Sequence, residues 1–306
     1  MAKKTLPIAC TINSSYALPL AVMLASAVEY LHPSYQLLLY LVHWRMNEDL
    51  IASISQLAET RPIALSPDLV AQLPTHGPFP REAAFALLLP ELLPASLEKI
   101  LFLDADLLVL DDLTQLWEVS LGGRVLAAAT DNAIPLCGSP RGVKHTARLE
   151  IPEDAPYFNA GVMLIDLDQW RRREVTRRAF EYLRLAGRGA DFLHQEALNA
   201  VLWNDWLRLD PRWNVPGSLA GRCCQPAQAN GNGSAAIVHF AGRFKPWRAP
   251  VGGFYYSRYR EFLSRAAELV PPMPPTPRDR LLSFYDRHLR DSVYGCERAL
   301  WNRRLL

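Results

Sequence analysis

The stretch Lys99-Ile-Leu-Phe-Leu-Asp-Ala-Asp-Leu-Leu-Val-Leu-Asp-Asp-Leu-Thr-Gln-Leu-Trp117 joins an unbroken apolar run to two closely spaced aspartates. Ile100 to Leu103 is apolar at every position, which suits a strand buried on both faces of a parallel sheet. The run stops at Asp104, and a second carboxylate follows at Asp106. Side chains at i and i+2 of an extended segment point the same way, so both carboxylates can face one point. Two such anions repel and lose hydration at the end of an apolar strand, and a bound cation is the simplest remedy. The alternative is a pair of solvated loop carboxylates capping the short helix that Leu113 to Trp117 suggests. Asp111 and Asp112 stand closer to that helix start and fit the capping role better.

Upstream of this stretch, strand-like and helix-like segments alternate. Ile8 to Ile12 reads as a buried strand that breaks at Asn13-Ser14-Ser15, and Pro19 to Tyr30 is apolar at helical spacing. Tyr35 to Val42 is a second strand, and Asn47 is placed to cap a helix running to about Glu59, with Glu48 and Asp49 in its first turn. Ile63 to Leu65 is a short third strand, and Arg81 to Leu93 an apolar helix before the central strand. This alternation predicts a parallel sheet with helices on its faces, where ligands gather at strand C-termini.

Downstream, Arg124 to Thr130 reads as a strand ending in Asp131. Residues 131–156 lack periodicity and hold Pro135, Gly138, Pro140 and Pro152, which predicts a long surface excursion of the kind that forms lids. Tyr157 to Leu167 is a strand that opens on Asn159-Ala160-Gly161, small and polar where a ligand could approach closely. Asp168 is expected to cap a helix to about Leu185, and its runs Arg171-Arg172-Arg173 and Arg177-Arg178, interleaved with Glu174 and Glu181, read as a solvated face. His194 to Trp203 starts another helix, and Trp206 to Leu209 is a short strand. The loop Asn230 to Ser234 precedes the strand Ala236 to Phe240, which ends at His239 and is followed by Gly242 and Lys245. A strand-end histidine, a glycine turn and a lysine suit a ligand's anionic group. Tyr255 to Leu269 is a further helix.

Composition narrows the class. The chain has 306 residues, half of them hydrophobic, and a formal net charge of +2 from 33 basic and 31 acidic side chains, which argues against nucleic-acid binding by bulk charge. Cys10, Cys137, Cys223, Cys224 and Cys296 show no metal-ligand spacing and read as thiols in a reducing compartment. No stretch approaches the roughly 20 apolar residues of a membrane span, so a cytoplasmic protein is expected. Pro271 to Pro277 reads as a stiff linker. Beyond it, Leu282, Tyr285, Leu289, Val293, Cys296 and Leu300 recur at helical steps, with seven arginines against four acids from Arg278 onward. Residues 1–270, 271–277 and 278–306 are therefore expected to form a catalytic domain, a linker and an amphipathic basic tail. The tail is expected either to pack on protein or to rest on anionic membrane.

Four pieces stand in order: Leu103-Asp-Ala-Asp106, Phe158-Asn-Ala-Gly-Val-Met-Leu-Ile165, His194-Gln-Glu-Ala-Leu-Asn199 and His239-Phe-Ala-Gly-Arg-Phe-Lys-Pro-Trp247. This ordered set resembles glycosyltransferase family 8, the bacterial retaining galactosyl- and glucosyltransferases of lipopolysaccharide synthesis and their glycogenin relatives, over roughly residues 7–247. The resemblance implies a GT-A-type α/β domain, a Rossmann-like mixed sheet flanked by helices, with a helical tail. It implies transfer of a hexose, galactose or glucose, from a UDP-sugar to a saccharide or glycolipid acceptor with retained configuration. Asp104, Asp106 and His239 become the expected ligands of Mn²⁺, with Mg²⁺ as the other ion considered. Lys245 and Gly242 are expected at the leaving diphosphate, Asn159 beside the donor sugar and Gln195 near its reacting carbon. Thr11, Asn13, Ser14, Tyr16, Ala105, Ala160 and His194 complete the expected donor site.

Three positions depart from the family pattern. Asn13 stands where an aspartate usually reads the uracil edge, Leu87 where an arginine usually contacts the donor, and His194 where an aspartate usually holds sugar hydroxyls. Arg81 lies about 120° round the helix from Leu87 and is no obvious substitute. Leu87 and His194 motivate one alternative, a non-catalytic or weakened sugar-nucleotide-binding relative. The other is a haloacid-dehalogenase-type phosphatase, which the Asp104-Ala-Asp106 segment superficially matches. Leu108 stands where that chemistry prefers Thr or Val, and much α/β chain precedes the motif.

Overall fold

The computed structural model describes residues 2–73, 81–190, 192–217, 234–241, 245–248 and 254–272. Gly242, the loop residues 230–233, most of the proline-rich linker and the tail 278–306 lie outside the described residues.

The apolar runs form the strands they predict. β1 (Lys4–Ile12), α1 (Ala17–Tyr30), β2 (Tyr35–His43), α2 (Glu48–Ser55) and β3 (Glu59–Ala64) alternate as expected, but α2 ends at Ser55, β3 already begins at Glu59, and an unexpected helix, α3 (Pro67–Gln72), follows. Asn47 caps α2 by accepting a hydrogen bond from the Leu50 N–H. The helix expected over 81–93 is instead a 3₁₀ helix, Arg81–Leu88, followed by one α-helical turn, α4 (Leu89–Leu92). Pro90 has no N–H to give the preceding turn, so a continuous α-helix cannot run through it. β4 (Lys99–Leu103), β5 (Leu107–Val109) and α5 (Leu113–Trp117) follow, with Asp112 capping α5 through the Thr114 N–H.

β6 (Leu126–Thr130) and β7 (Phe158–Asp166) flank the long segment 131–156. That segment runs over the surface as expected, and its apolar underside is packed down. Ile134, Cys137, Val143, Ile151 and Ala155 are buried in the core beneath it. The single arginine-rich helix divides into α6 (Leu167–Arg172) and α7 (Val175–Ala186), because Glu174 between them adopts a left-handed conformation, φ +50°. Its cap is Asp166, which accepts from the Gln169 N–H, while Asp168 pairs with Arg171 at 3.2 Å. α8 (Leu193–Leu202), β8 (Trp206–Arg208), β9 (Val215–Pro216), β10 (Ile237–His239) and α9 (Phe254–Leu269) complete the described fold.

The main sheet has seven strands in the order β3-β2-β1-β4-β7-β6-β8. β7 pairs antiparallel to both β4 and β6, and the other pairs are parallel. The sheet is therefore mixed, and the C-terminal ends of six strands share one edge with the N-terminal end of β7. Both faces are covered. Along β4, Leu101 and Leu103 enter the core that α1 and α9 close, while Ile100 and Phe102 enter the core beneath α7 and α8. A three-stranded sheet, β5-β10-β9, lies at the same edge.

Candidate active site

The small sheet assembles the site. β10 runs antiparallel to β5 with His239 opposite Leu107, and the Phe240 N–H donates to the Asp106 carbonyl at 3.0 Å. This register sets His239 beside the paired aspartates. His239 Nε2 lies 3.3 Å from Asp106 Oδ1 and 3.6 Å from Asp104 Oδ2. One candidate ligand atom from each of the three residues falls within 4.8 Å of the others. Lys245 comes to the same place, donating to Asp106 Oδ2 and, at 2.9 Å, to the Phe240 carbonyl.

Packing explains how these groups can meet. The Asp104 N–H donates to the Gly161 carbonyl at 2.8 Å, so β7 lies against the aspartate turn. A Cβ on Gly161 would stand 2.8 Å from Asp104 Oδ2 and overlap the His239 ring. The small residues that open β7 thus admit the site's own side chains.

The electrostatics form a mutually supporting cluster. Burial opposes ionisation of Asp106, but the adjacent Lys245 and His239 outweigh it and hold its carboxyl well below the usual range. Burial works against the His239 and Lys245 cations, yet the Asp106 charge outweighs it and raises both above their ordinary values. Asp104 is raised by burial and by the like charge of Asp106, although 32% of its side chain is exposed to the cleft. Two carboxylates and an imidazole nitrogen make an O,O,N donor set that fits a divalent cation. Mn²⁺ accepts such mixed donors more readily than Mg²⁺.

A cleft of about 750 Å³ opens beside this cluster. Thr11, Asn13, Tyr16 and Ala105 line it, as do Asn159, His194 and Gln195. Asn13 Oδ1 accepts from the Ser15 N–H and hydroxyl, which leaves the Asn13 NH₂ as its available group. Tyr16 meets Trp247 edge-on, ring centroids 5.7 Å apart. Two expected donor residues are not on the cleft wall. Ser14 sits in a 3₁₀ turn behind Asn13, and Ala160 is fully buried in β7, where its N–H donates to Gln195 Oε1 at 3.0 Å.

Leu87 is fully buried in the core and contributes no cleft surface. A cation enters the cleft elsewhere, from Arg141 on the covering segment, whose guanidinium lies 4.5 Å from the Phe192 ring centroid. His194 has no hydrogen-bond partner among the described residues, and its enclosure lowers the imidazole to about 4. It is therefore neutral near pH 7.

Sequence reasoning missed Arg141, Glu82, Asp131 and Asn214. All four line the cleft. Asp131 is a hub: Oδ1 accepts the Ala133 and Ile134 N–H groups, and Oδ2 accepts the Asn159 and Gln195 side-chain amides. Its place at the end of an apolar strand, like that of Asp104, was the available signal. Nothing in the local sequence distinguishes Asn214.

A mixed seven-stranded sheet with paired aspartates at the edge where six strand C-termini meet is a GT-A-type fold. The galactosyltransferase LgtC, solved in complex with donor and acceptor sugar analogues, superposes with a TM-score of 0.73 at 23% identity, covering 88% of this chain and 98% of that one. The chain belongs to glycosyltransferase family 8, whose model matches residues 7–250. It is 30% identical over 198 residues to General stress protein A of Bacillus subtilis, covering 60% of this chain and 65% of the relative. It is 27% identical over 218 residues to the lipopolysaccharide 1,2-glucosyltransferase of Escherichia coli, covering 68% and 63%. The matches thus span just under two thirds of those two relatives. Among the described residues no helix is long and apolar enough to cross a membrane. Cys10 and Cys137 are free, buried thiols.

Proposed function

We propose that the protein is a Mn²⁺-dependent retaining hexosyltransferase that moves galactose or glucose from a UDP-sugar to a saccharide acceptor. The observation that carries this reading is the convergence of Asp104, Asp106 and His239 beside Lys245 at the head of a cleft. Asp104, Asp106 and His239 would hold the ion, which when bound supplies Lewis-acid neutralisation of the diphosphate charge. Lys245 uses two of its three N–H donors on Asp106 and Phe240, leaving one for a diphosphate oxygen. Gln195 has its side-chain oxygen fixed by the Ala160 N–H and its nitrogen by Asp131, so it presents a rigid amide to the sugar end of the cleft. The acceptor oxygen bonds to the anomeric carbon as the carbon–diphosphate bond breaks, and the hydroxyl proton passes to a diphosphate oxygen. No side chain is assigned as general base.

The test is UDP release from a panel of UDP-sugars with Mn²⁺ and saccharide acceptors. Turnover of UDP-galactose or UDP-glucose by the wild type, lost together with Mn²⁺-dependent donor binding in Asp106→Ala, is expected. Donor binding without turnover across the panel would make it the non-catalytic relative. The phosphatase alternative does not survive the family match. A second donor class, UDP-uronic acids, belongs in the panel because Arg141 and the neutral His194 line the cleft. Turnover restricted to those donors would replace the hexose reading.

The acceptor is proposed to be lipopolysaccharide or another surface glycan, met at the inner face of a membrane by a cytoplasmic protein whose basic tail, residues 278–306, provides peripheral contact. Equal sedimentation of the full chain and a chain ending at Pro277 with anionic liposomes would remove the tail from that role.

A further inference from the structure

His239 Nδ1 lies 3.0 Å from Asn214 Oδ1, at the far side of the ring from the two aspartates. The contact is the last link of a hydrogen-bonded chain. Asn214 Nδ2 donates to Asn159 Oδ1 at 2.9 Å, and Asn159 Nδ2 donates to Asp131 Oδ2 at 2.8 Å. Asp131, Gln195, Asn214 and His239 are each buried.

The direction of this chain is fixed by groups that cannot reverse. The Gly161 N–H, a main-chain donor, points at Asn159 Oδ1 from 2.9 Å. The Asp131 carboxylate accepts main-chain N–H groups on its other oxygen and faces Asn159 from the opposite side. Asn159 must therefore turn its oxygen to Gly161 and its NH₂ to Asp131. Asn214, meeting that same oxygen, must offer its own NH₂, so its oxygen is what faces His239. An amide oxygen only accepts, which requires the proton on Nδ1. Nε2 is then the nitrogen presented to Asp104 and Asp106.

We propose that Asn214 and Asp131 are positioning residues that fix the protonated nitrogen of His239, so that Nε2 faces the cation site. The proposal rests on the metal reading above for its purpose, but not for its geometry. It also couples two parts of the cleft. Asn159 and Gln195, at the sugar end, hang from the same Asp131 oxygen that orients the metal-facing imidazole. Outer hydrogen bonds of this kind are worth about 10–100-fold in metal affinity.

The test uses full-length protein. A nitrogen-15 imidazole spectrum of the metal-free wild type, followed to a pH at which the ring carries a single proton and with His239 identified by its loss in His239→Gln, is expected to keep that proton on Nδ1. An Nδ1 without a proton overturns the proposal, and this readout stands even if a substituted protein fails to fold. Mn²⁺ titration by electron paramagnetic resonance is expected to show about 10–100-fold weaker binding in Asn214→Leu. Asn214→Asp keeps an acceptor for Nδ1 but gives up the NH₂ that meets Asn159 Oδ1, so its loss of Mn²⁺ affinity should be smaller than that of Asn214→Leu by about three-fold or more. Equal losses in both variants would make Asn214 a packing residue and overturn its role. Wild type that binds no Mn²⁺ would sink the metal reading alone, with the spectrum still deciding the ring assignment.

Discussion

At Gly161 the space of one methyl group is what lets the His239 ring and Asp104 meet. An added Cβ would overlap the His239 ring and approach Asp104 Oδ2 to 2.8 Å. Asp104 can swing away into the cleft, but His239 is held by Asn214 behind it. Gly161→Ala is therefore expected to cost about 1–3 kcal/mol of stability, the usual range for overpacking. Mn²⁺ affinity should fall on the order of 10-fold or more through the displaced ligand. Urea denaturation and Mn²⁺ titration measure the two effects, and unchanged affinity would mean that the imidazole is not held where it stands. His194 offers a test by pH. Its folded-state value, about 4, lies below the ordinary 6.5, so the unfolded chain takes up the proton first as pH falls. Stability present above about 6.5 is lost as pH drops through about 4, by this linkage. His194→Gln carries no such proton, so wild type should lose stability relative to it across that window. Parallel pH profiles for the two proteins would rule out the enclosed neutral histidine.

The elements differ in how far the sequence reveals them, and the reason is the range of the forces that set them. β1, β2, β4 and β7 each carry enough buried apolar residues to declare themselves, and Asn47 and Asp112 cap as their positions predict. β5 and β9, of three and two residues, exist through pairing with β10 from a distant part of the chain, which no local pattern encodes. The same holds for Asn214, which becomes a site residue only because β9 follows it. The 131–156 segment reads as a loop because its apolar residues follow no period, yet it packs and is tied down. Its Lys144 N–H donates to the Tyr182 hydroxyl at 2.9 Å and to Glu196 Oε1 at 3.2 Å, and Tyr182 donates to the same carboxylate. Glu196→Leu withdraws that buried acceptor, at a cost of about 1–3 kcal/mol per donor left unsatisfied. Amide exchange over Val143 to Ala147 should accelerate on the order of 10-fold or more by that cost, with β2 unchanged. Unaltered exchange there would show that apolar packing alone holds the cover.

For the molecule as a whole, the family match ends at residue 250, but the body does not. α9 follows that boundary and buries Tyr255, Tyr259, Phe262 and Ala266, one helical face, against the core that includes α1. Arg258 and Arg265 pair with Glu29 at 3.0 and 2.8 Å, adding modest exposed ion pairs. The aromatic contacts matter more. Phe240, next to His239, packs edge-on against Tyr256 and Tyr259, each with ring centroids 5.1 Å away. α9 thus braces the strand that delivers the histidine to the aspartates. Fully burying a large apolar side chain such as Phe262 contributes roughly 1.5–3 kcal/mol, and the rings of Tyr255 and Tyr259 add to it, so the face is a substantial part of a typical domain's about 5–15 kcal/mol. A chain ending at residue 250 should accordingly lose cooperative thermal unfolding and Mn²⁺ binding together. A chain ending at Pro272, which retains α9, should keep the wild-type melting temperature within about 2 °C, less than the shift from a 1 kcal/mol change in a domain of this size. Circular dichroism melts of the two truncated chains decide the matter. Cooperative unfolding of the shorter one at the full-length temperature would place α9 outside the functional domain, and the bracing of His239 with it.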